Sequence, residues 1–275
     1  MAGALVVVAT PIGNLGDLAP RAVEELARAD AIACEDTRRT RKLLTHAGVK
    51  APTLITVNDE SEARQVRAVV ARLERGERVA LVTDAGTPGI SDPGERLVAA
   101  AAAAGVEVEV VPGASAAIAA LVVSGLPTGR FTFEGFLPRK GSGRTERIDA
   151  LRTEQRTTVL YEAPHRVRRT VAELAEALGP LRRVAMVREL TKLHEEVWRG
   201  TIAGAVEHLD ASEPRGEYVL VLGGAAPAAE PSSDDVTEAL RTRLATGTDK
   251  KTATAEVAKE LRVPKRRVYE IATRL

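Results

Sequence analysis

The chain has 275 residues and a single cysteine, Cys34. That rules out a disulfide framework and a CxxC zinc site. Four histidines, His46, His165, His194 and His208, lack ligand-like spacing, so no metal centre is expected. Aromatic residues make up only 3% of the chain, so the cores must be built from Val, Leu, Ile and Ala. The formal net charge of +1 gives no global basic field, and any nucleic-acid contact must come from local patches. No apolar run is long enough to span a membrane. Residues 1–9 lack both the basic flank and the length of a signal peptide. What remains is an ordinary globular balance, 44% hydrophobic and 28% charged, which fits about two domains and a cytoplasmic setting.

Against that background one stretch stands out, VALVTDAGTPGISDPG at 79–94. Residues 79–82 read as a short buried strand. Three glycines, two prolines and two aspartates follow, then a helix, with Asp92 expected as N-cap and Pro93 as first helical residue. Strand, stiffened glycine loop and helix place a ligand site beyond the strand's carboxyl end. Neither a Walker pattern nor GxGxxG is present. Asp84 and Asp92 would repel phosphate, so the expected ligand is neutral or cationic there.

The same grammar opens the chain, with a strand at 5–9, a glycine turn at 10–17 and a helix at 20–29. A second strand, 31–34, ends in EDTRRTRK at 35–42. This run reads either as a solvated helix start, acids first and bases after, or as a working strand end. In the second reading Glu35 or Asp36 accepts a proton and Arg38, Arg39 or Arg41 meets a phosphate. A strand at 54–57, helices at 61–75 and 95–105, a strand at 106–111 and a helix at 116–121 continue the alternation. A mostly parallel sheet in a first α/β domain, 1–127, follows from it.

A hinge at 126–129 leads into a strand at 130–137 that holds all three phenylalanines. The basic loop after it, 138–144, reads as a solvated connection or as a lid that brings Arg139, Lys140 and Arg144 to an anionic polymer. A helix at 146–152, strands at 157–161, 183–187, 197–200 and 217–223, and a helix at 167–178 make a second α/β domain, 128–224, with a mixed sheet. Residues 225–233 form a Pro/Ala/Ser linker. The tail, 234–275, reads as helices at 236–245, 250–261 and 266–275, the last two joined as in a helix-turn-helix. From Glu238 onward ten Lys/Arg stand against five Asp/Glu, a net +5. The tail is either a capping or dimerisation bundle or a nucleic-acid-binding appendage, with Lys265, Arg266 and Arg267 toward RNA.

Several motifs carry a family resemblance. They are TPIGNLGD at 10–17, CEDTR at 34–38, DAGTPGISDPG at 84–94, VPGAS at 111–115, FEGFLPRK at 133–140, YEAPHR at 161–166, RELTKLHEE at 188–196 and GEYVLVLGG at 216–224. Over essentially its whole length the chain resembles the ribosomal RNA ribose-2'-O-methyltransferase branch of the tetrapyrrole (corrin/porphyrin) methylase superfamily. The resemblance implies two α/β domains with S-adenosylmethionine in the cleft between them, plus a homodimer. It also implies methylation of a cytidine ribose in the decoding region of 16S rRNA, free or in the 30S subunit. By position, cofactor contacts fall on Leu15, Gly86, Thr87, Ile90, Ser115, Ala116, Glu162 and Leu190. The acidic Asp84 beside them suits a sulfonium. Tetrapyrrole enzymes carry GxGPGD near the amino terminus. Here GNLGD stands at 13–17, which speaks against a tetrapyrrole precursor as substrate. A non-catalytic, cofactor-sensing RNA binder is the other alternative.

Methyl transfer to a ribose hydroxyl requires a group that takes the proton as oxygen attacks. The candidates are Glu35 and Asp36 at one strand end and Glu189 with Lys192 at another. Lys192 can serve only if its pKa is depressed, and Glu189 with Lys192 equally fits a structural ion pair. His165 is a further candidate, or a cap for the next helix. Arg38, Arg139, Lys140 and Arg166 are the expected phosphate contacts.

Overall fold

The computed structural model describes residues 3–57, 62–227 and 231–275. The expected helix start at Ser61 and linker residues 228–230 lie outside them. The chain forms two units, Met1–Ala225 and Ala226–Leu275.

The first unit opens with β1 (Ala4–Val8), α1 (Pro20–Arg28), β2 (Ala31–Cys34), α2 (Thr37–His46), β3 (Thr53–Thr56), α3 (Glu62–Glu74), β4 (Arg78–Leu81), α4 (Glu95–Ala103) and β5 (Glu107–Val111). The five strands pair in the order β3-β2-β4-β1-β5, all parallel. Every residue of β1 and β2 is buried, because helices cover both faces of a parallel sheet. On one face Leu5, Val7 and Leu81 meet Val69 and Leu73 of α3 and Leu97 of α4. On the other Val6, Val8 and Ile32 meet Ala22 and Leu26 of α1 and Leu44 of α2.

The next helix, α5 (Ala116–Val123), is apolar on all sides and covers a second sheet rather than the first. Its Ala117, Ala120 and Leu121 pack on Val159, Ala185, Val187, Val219 and Val221. That sheet comprises β6 (Phe131–Phe136), β7 (Thr157–Glu162), β8 (Arg183–Arg188), β9 (Glu196–Thr201) and β10 (Tyr218–Leu222). The order is β6-β7-β10-β8-β9. Only β6 and β7 run parallel, so the sheet is mixed. Its other face is closed by α6 (Ser142–Ala150), α7 (Pro164–Leu178) and α8 (Ile202–Asp210), through Ile148, Val167, Val171, Leu174, Ile202 and Leu209.

Two local expectations change. The helix after the glycine loop starts at Glu95 with Gly94 as N-cap, not at Asp92–Pro93. Residues 89–94 instead close on themselves, the Gly89 N–H donating to Pro93 O at 3.3 Å with Gly94 at φ 131°. Arg144 is not part of a lid. It is 4% exposed within α6, and its guanidinium donates to Pro138 O, Thr170 Oγ1 and Glu173 Oε2. A guanidinium so fully used anchors the loop it was expected to mobilise.

The second unit has its own core. Helices α9 (Ser233–Ala245), α10 (Lys250–Glu260) and α11 (Lys265–Ala272) bury Val236, Leu240, Val257, Val263 and Val268 together. A capping box of Ser232 and Asp235 starts α9, and Asp249 caps α10. Among the described residues no helix is long and apolar enough to cross a membrane.

Across the first sheet's amino end, Arg78 donates to Glu109 through two 2.7 Å bonds and to Glu25 at 2.8 Å, while Asp30 accepts its backbone N–H. Glu25 is nearly buried, so loss of the guanidinium strands a charge. Arg78→Met is expected to cost about 1–3 kcal/mol at neutral pH by urea denaturation, less than a fully buried pair because Arg78 keeps some solvent. Hydrogen bonding to Arg78 holds Glu109 below the usual carboxylate range. Its share of the stability is present above the unfolded-state pKa and fades as pH falls through the lowered one. The variant's deficit should therefore shrink in acid.

Candidate active site

The loops after β1, β4 and β5 and the turn after β2 leave the carboxyl edge of the first sheet. A reciprocal backbone pair joins the loops after β1 and β4. Thr10 N–H donates to Gly86 O at 2.8 Å and Gly86 N–H donates to Thr10 O at 3.1 Å, an isolated antiparallel bridge beyond two parallel strands. Thr10 Oγ1 also donates to Thr83 O at 3.1 Å. Gly86 sits at φ 88°, a conformation open to glycine at little cost, and lets the loop turn back on itself. Thr87 Oγ1 reaches Ala114 O at 3.4 Å and links this loop to the one before α5.

The second sheet supplies the facing wall. Together they enclose a cavity of about 390 Å³, within the usual range for small-molecule sites. The glycine-loop side contributes Gly86, Thr87, Ile90, Ser115 and Ala116, and the far side Phe136, Tyr161, Glu162, His165, Leu190 and Val219. Tyr161 stacks edge-on against Phe133 and Phe136, with ring centres at 5.0 and 5.6 Å, and its hydroxyl accepts the Ala117 N–H at 3.2 Å. The Glu162 carboxylate is turned into the protein. It accepts from Thr170 Oγ1 at 2.5 Å and Ala163 N–H at 2.9 Å and pairs with Arg166 at 3.2 Å.

Backbone strain gathers at this cavity. Ser91, Glu189 and Thr191 take φ values of 61°, 50° and 66°, and the last two flank Leu190. The 189–192 turn is held by many bonds. Glu189 Oε1 accepts from Lys192 Nζ at 2.8 Å and Glu217 N–H at 3.0 Å, and Thr191 Oγ1 accepts the Asn14 N–H at 3.2 Å. The turn presses on Gly13, where a Cβ would lie 2.5 Å from Lys192 Cγ.

A second cavity, about 340 Å³, adjoins the first. Ile12, Ala85, Lys192 and Glu217 line both. The second is otherwise bordered by Leu15, Arg39, Lys42, Leu43, Thr83 and Asp84. Asp84 Oδ1 accepts the Asp36 N–H at 3.3 Å and Oδ2 faces Arg39 Nε at 3.4 Å.

The expected site residues thus divide. Gly86, Thr87, Ile90, Ser115, Ala116, Glu162 and Leu190 line the first cavity, and Leu15 and Asp84 the second. Lys192 borders both. Burial is the largest influence on its ammonium and pushes the pKa down, but Glu189 and Glu217 together outweigh it, so the net shift is upward. The depressed pKa that a lysine base needs is therefore absent. Hydrogen bonding to Lys192 lowers Glu189 in turn. Asp36 is the N-cap of α2, and the Arg38 guanidinium and N–H hold it at about 2. Glu35 accepts from Thr83 Oγ1 at 3.1 Å and borders neither cavity. Of the expected phosphate contacts, Arg38, Arg139 and Lys140 are exposed, whereas Arg166 is tied to Glu162 and Leu137 O. In the second unit Lys265 and Arg266 are exposed, and Arg267 is half-buried with its guanidinium on Pro231 O. Glu217, Tyr218 and Val219 fall within the motif at 216–224 but were not among the expected site residues. Glu217 immediately precedes β10 and Tyr218 and Val219 open it; β10 runs antiparallel to β7 and β8, so its first residues lie at the edge where those strands end.

The model of the tetrapyrrole (corrin/porphyrin) methylases matches residues 4–206. A Synechocystis sp. protein named ribosomal RNA small subunit methyltransferase I is 46% identical over 99% of this chain and 98% of its own. A Thermotoga maritima protein of the same name is 43% identical over 99% of its length but only 81% of this chain. The crystal structure of a Thermus thermophilus uroporphyrin-III C-methyltransferase complexed with S-adenosylhomocysteine superposes with a TM-score of 0.55 at 22% identity, over 80% of this chain and 96% of that one. Two α/β layers around a walled cavity, with a matching family model and near-full-length relatives, show that the chain belongs to the tetrapyrrole (corrin/porphyrin) methylase family.

Proposed function

We propose that the protein is an S-adenosylmethionine-dependent methyltransferase that modifies the ribose 2'-hydroxyl of a cytidine in the decoding region of 16S rRNA. The observation that carries this reading is the 46% identity, across nearly all of both chains, to a ribosomal RNA small subunit methyltransferase I. The geometry fits it. The first cavity has close-approaching backbone at Gly86–Thr87 and Ser115–Ala116 and a largely apolar far wall, and it offers no ring of cations for a polyphosphate. When bound there, the cofactor supplies an electrophilic methyl on a cationic sulfur. Ile90, Leu190 and Val219 would present apolar surface to that group, and the loop backbone would orient it. The second cavity, rimmed by Arg39 and Lys42, suits a phosphate-bearing acceptor, because Arg39, paired with Asp84, offsets the repulsion expected from that carboxylate.

The same reading includes RNA contacts from the second unit, a homodimer and a cytoplasmic setting. The Thermotoga maritima relative leaves about a fifth of this chain without counterpart, which fits an appendage that adds affinity rather than chemistry. Val108 and Val110 are exposed on the edge strand β5, as are Ile118 and Val122, one turn apart on α5. These apolar positions suit a second copy of the chain.

Incubation with methyl-tritiated S-adenosylmethionine and either 30S subunits or naked 16S rRNA should place label on a ribose, read as a nucleotide bond resistant to alkali. Absence of label from both RNAs, or label on a base, would overturn the assignment. Truncation after Ala225 should leave cofactor affinity intact and weaken RNA binding. The salt slope should fall by about 2, at roughly 0.7–0.9 per lost phosphate contact. Val110→Glu combined with Ile118→Glu should convert a dimer into a monomer in light scattering, and an unchanged mass would exclude this face as the interface.

A further inference from the structure

Resting on the methyltransferase reading, we propose that the second cavity holds the acceptor ribose and that Asp84 is the catalytic residue that takes the proton from its hydroxyl.

The two cavities meet at Ile12, Ala85, Lys192 and Glu217. An acceptor in one and a methyl donor in the other therefore face each other beside Ala85. Asp84 is the adjacent residue, on the acceptor side. Its side chain is 19% exposed, sheltered but reachable, and its two protein contacts are long, 3.3 Å to the Asp36 N–H and 3.4 Å to Arg39. Both oxygens keep lone pairs for a substrate hydroxyl. The competing groups are spent. Asp36 accepts three bonds from Arg38, Glu189 is bonded to Lys192 and the Glu217 N–H, and Lys192 is an ammonium between Glu189 and Glu217. Glu35 borders neither cavity, and His165 lines only the first.

The groups around Asp84 tune it in a readable way. Cys34, Glu35 and Asp36 lie at the end of β2, Arg39 and Lys42 on α2, and Lys192 and Glu217 across the cavity. Burial first, then Glu35, push the Asp84 carboxyl above its ordinary value, and Arg39 opposes them. A raised carboxylate is a better proton acceptor near neutrality. The hydroxyl O–H bond breaks toward Asp84 as the ribose oxygen bonds to the methyl carbon. The carbon–sulfur bond breaks, and its electron pair leaves with the neutral thioether. Lys42, which forms no ion pair among the described residues, and Arg39 stand ready for the flanking phosphate.

The test measures single-turnover methylation of 30S subunits at saturating cofactor across pH for the wild type and for Asp84→Asn, Glu35→Gln and Arg39→Met. Cofactor affinity is measured by calorimetry and RNA affinity by filter binding. Asp84→Asn, which keeps the acceptor for the Asp36 N–H, should lose on the order of 10²–10⁴ in rate with both affinities within a few-fold. The wild-type rate should fall in acid through the raised Asp84 pKa. That limb should move to lower pH in Glu35→Gln and to higher pH in Arg39→Met, opposite shifts that no purely structural role would give. A cofactor affinity that falls in step with the rate returns Asp84 to the donor site and overturns the proposal, as does a near-normal rate. If Asp84→Asn fails to fold, the two limb shifts decide alone, and their absence overturns it. Wild-type enzyme that labels nothing sinks the methyltransferase reading itself, whereas wild type and Asp84→Asn labelling at comparable rates sinks only this one.

Discussion

The reciprocal pair between Thr10 and Gly86 is the constraint on which the site depends. β1 and β4 run parallel, and their chains would diverge past Val8 and Leu81. Two backbone hydrogen bonds turn them toward each other instead. Thr10 is 2% exposed, so its polar groups need partners inside the protein, and the Gly86 backbone together with Thr83 O supplies them. Each such bond is worth about 1 kcal/mol net, but a buried group left unpaired costs more. The glycine loop is thereby fixed without a ligand. Its shape comes from the sheet edge, and its residues remain free to present backbone to the cavity.

The opposite wall is organised by strain rather than by pairing. Glu189 and Thr191 hold left-handed backbone that side chains disfavour, and they keep it because the Lys192 ammonium, the Glu217 N–H and the Asn14 N–H all fix the turn from outside. The Asn14 bond reaches back to the loop after β1. The 189–192 turn and the Thr10–Gly86 bridge therefore belong to one chain of contacts through residues 10–14. The glycine at position 13 makes the approach possible. Lys192, bonded to Glu189 and Glu217, is held as a cation by the same contacts that fix the strained turn.

Much of this architecture was legible in the sequence. The alternating apolar runs and glycine turns marked the parallel first sheet, and the motifs at 84–94, 111–115 and 188–196 fall on the walls of the cavities. Four things were not legible. The apolar α5 has no polar face to show which sheet it covers, and only tertiary packing sends it to the second. Arg144 sits among glycines and serine that look mobile, and its anchors, Glu173 and Thr170, lie nearly thirty residues away. Glu217 to Val219 open an antiparallel strand, so a rule that seeks ligands at carboxyl ends passes over them. The division of the expected cofactor contacts between two cavities was hidden for a related reason. Asp84 and Gly86 are two residues apart, and only the fold shows that they face different spaces.

That division has a chemical sense. A donor that is cationic at its reacting centre and an acceptor that is polyanionic cannot share one electrostatic environment. The chain's near-neutral total charge leaves the separation to local placement. Apolar side chains and backbone dominate the first cavity, which on the proposed reading keeps a sulfonium from solvent. Arg39 and Lys42 rim the second, with Arg38 exposed on the same helix. Asp84 is the one acid among them whose burial raises it and whose contacts are loose, and it stands beside the wall the cavities share. A carboxylate deeper among the cations would be locked as Asp36 is, and one deeper in the apolar cavity is spent on the protein, as Glu162 is on Thr170 and Arg166. The end of β4 is the position between these two failures.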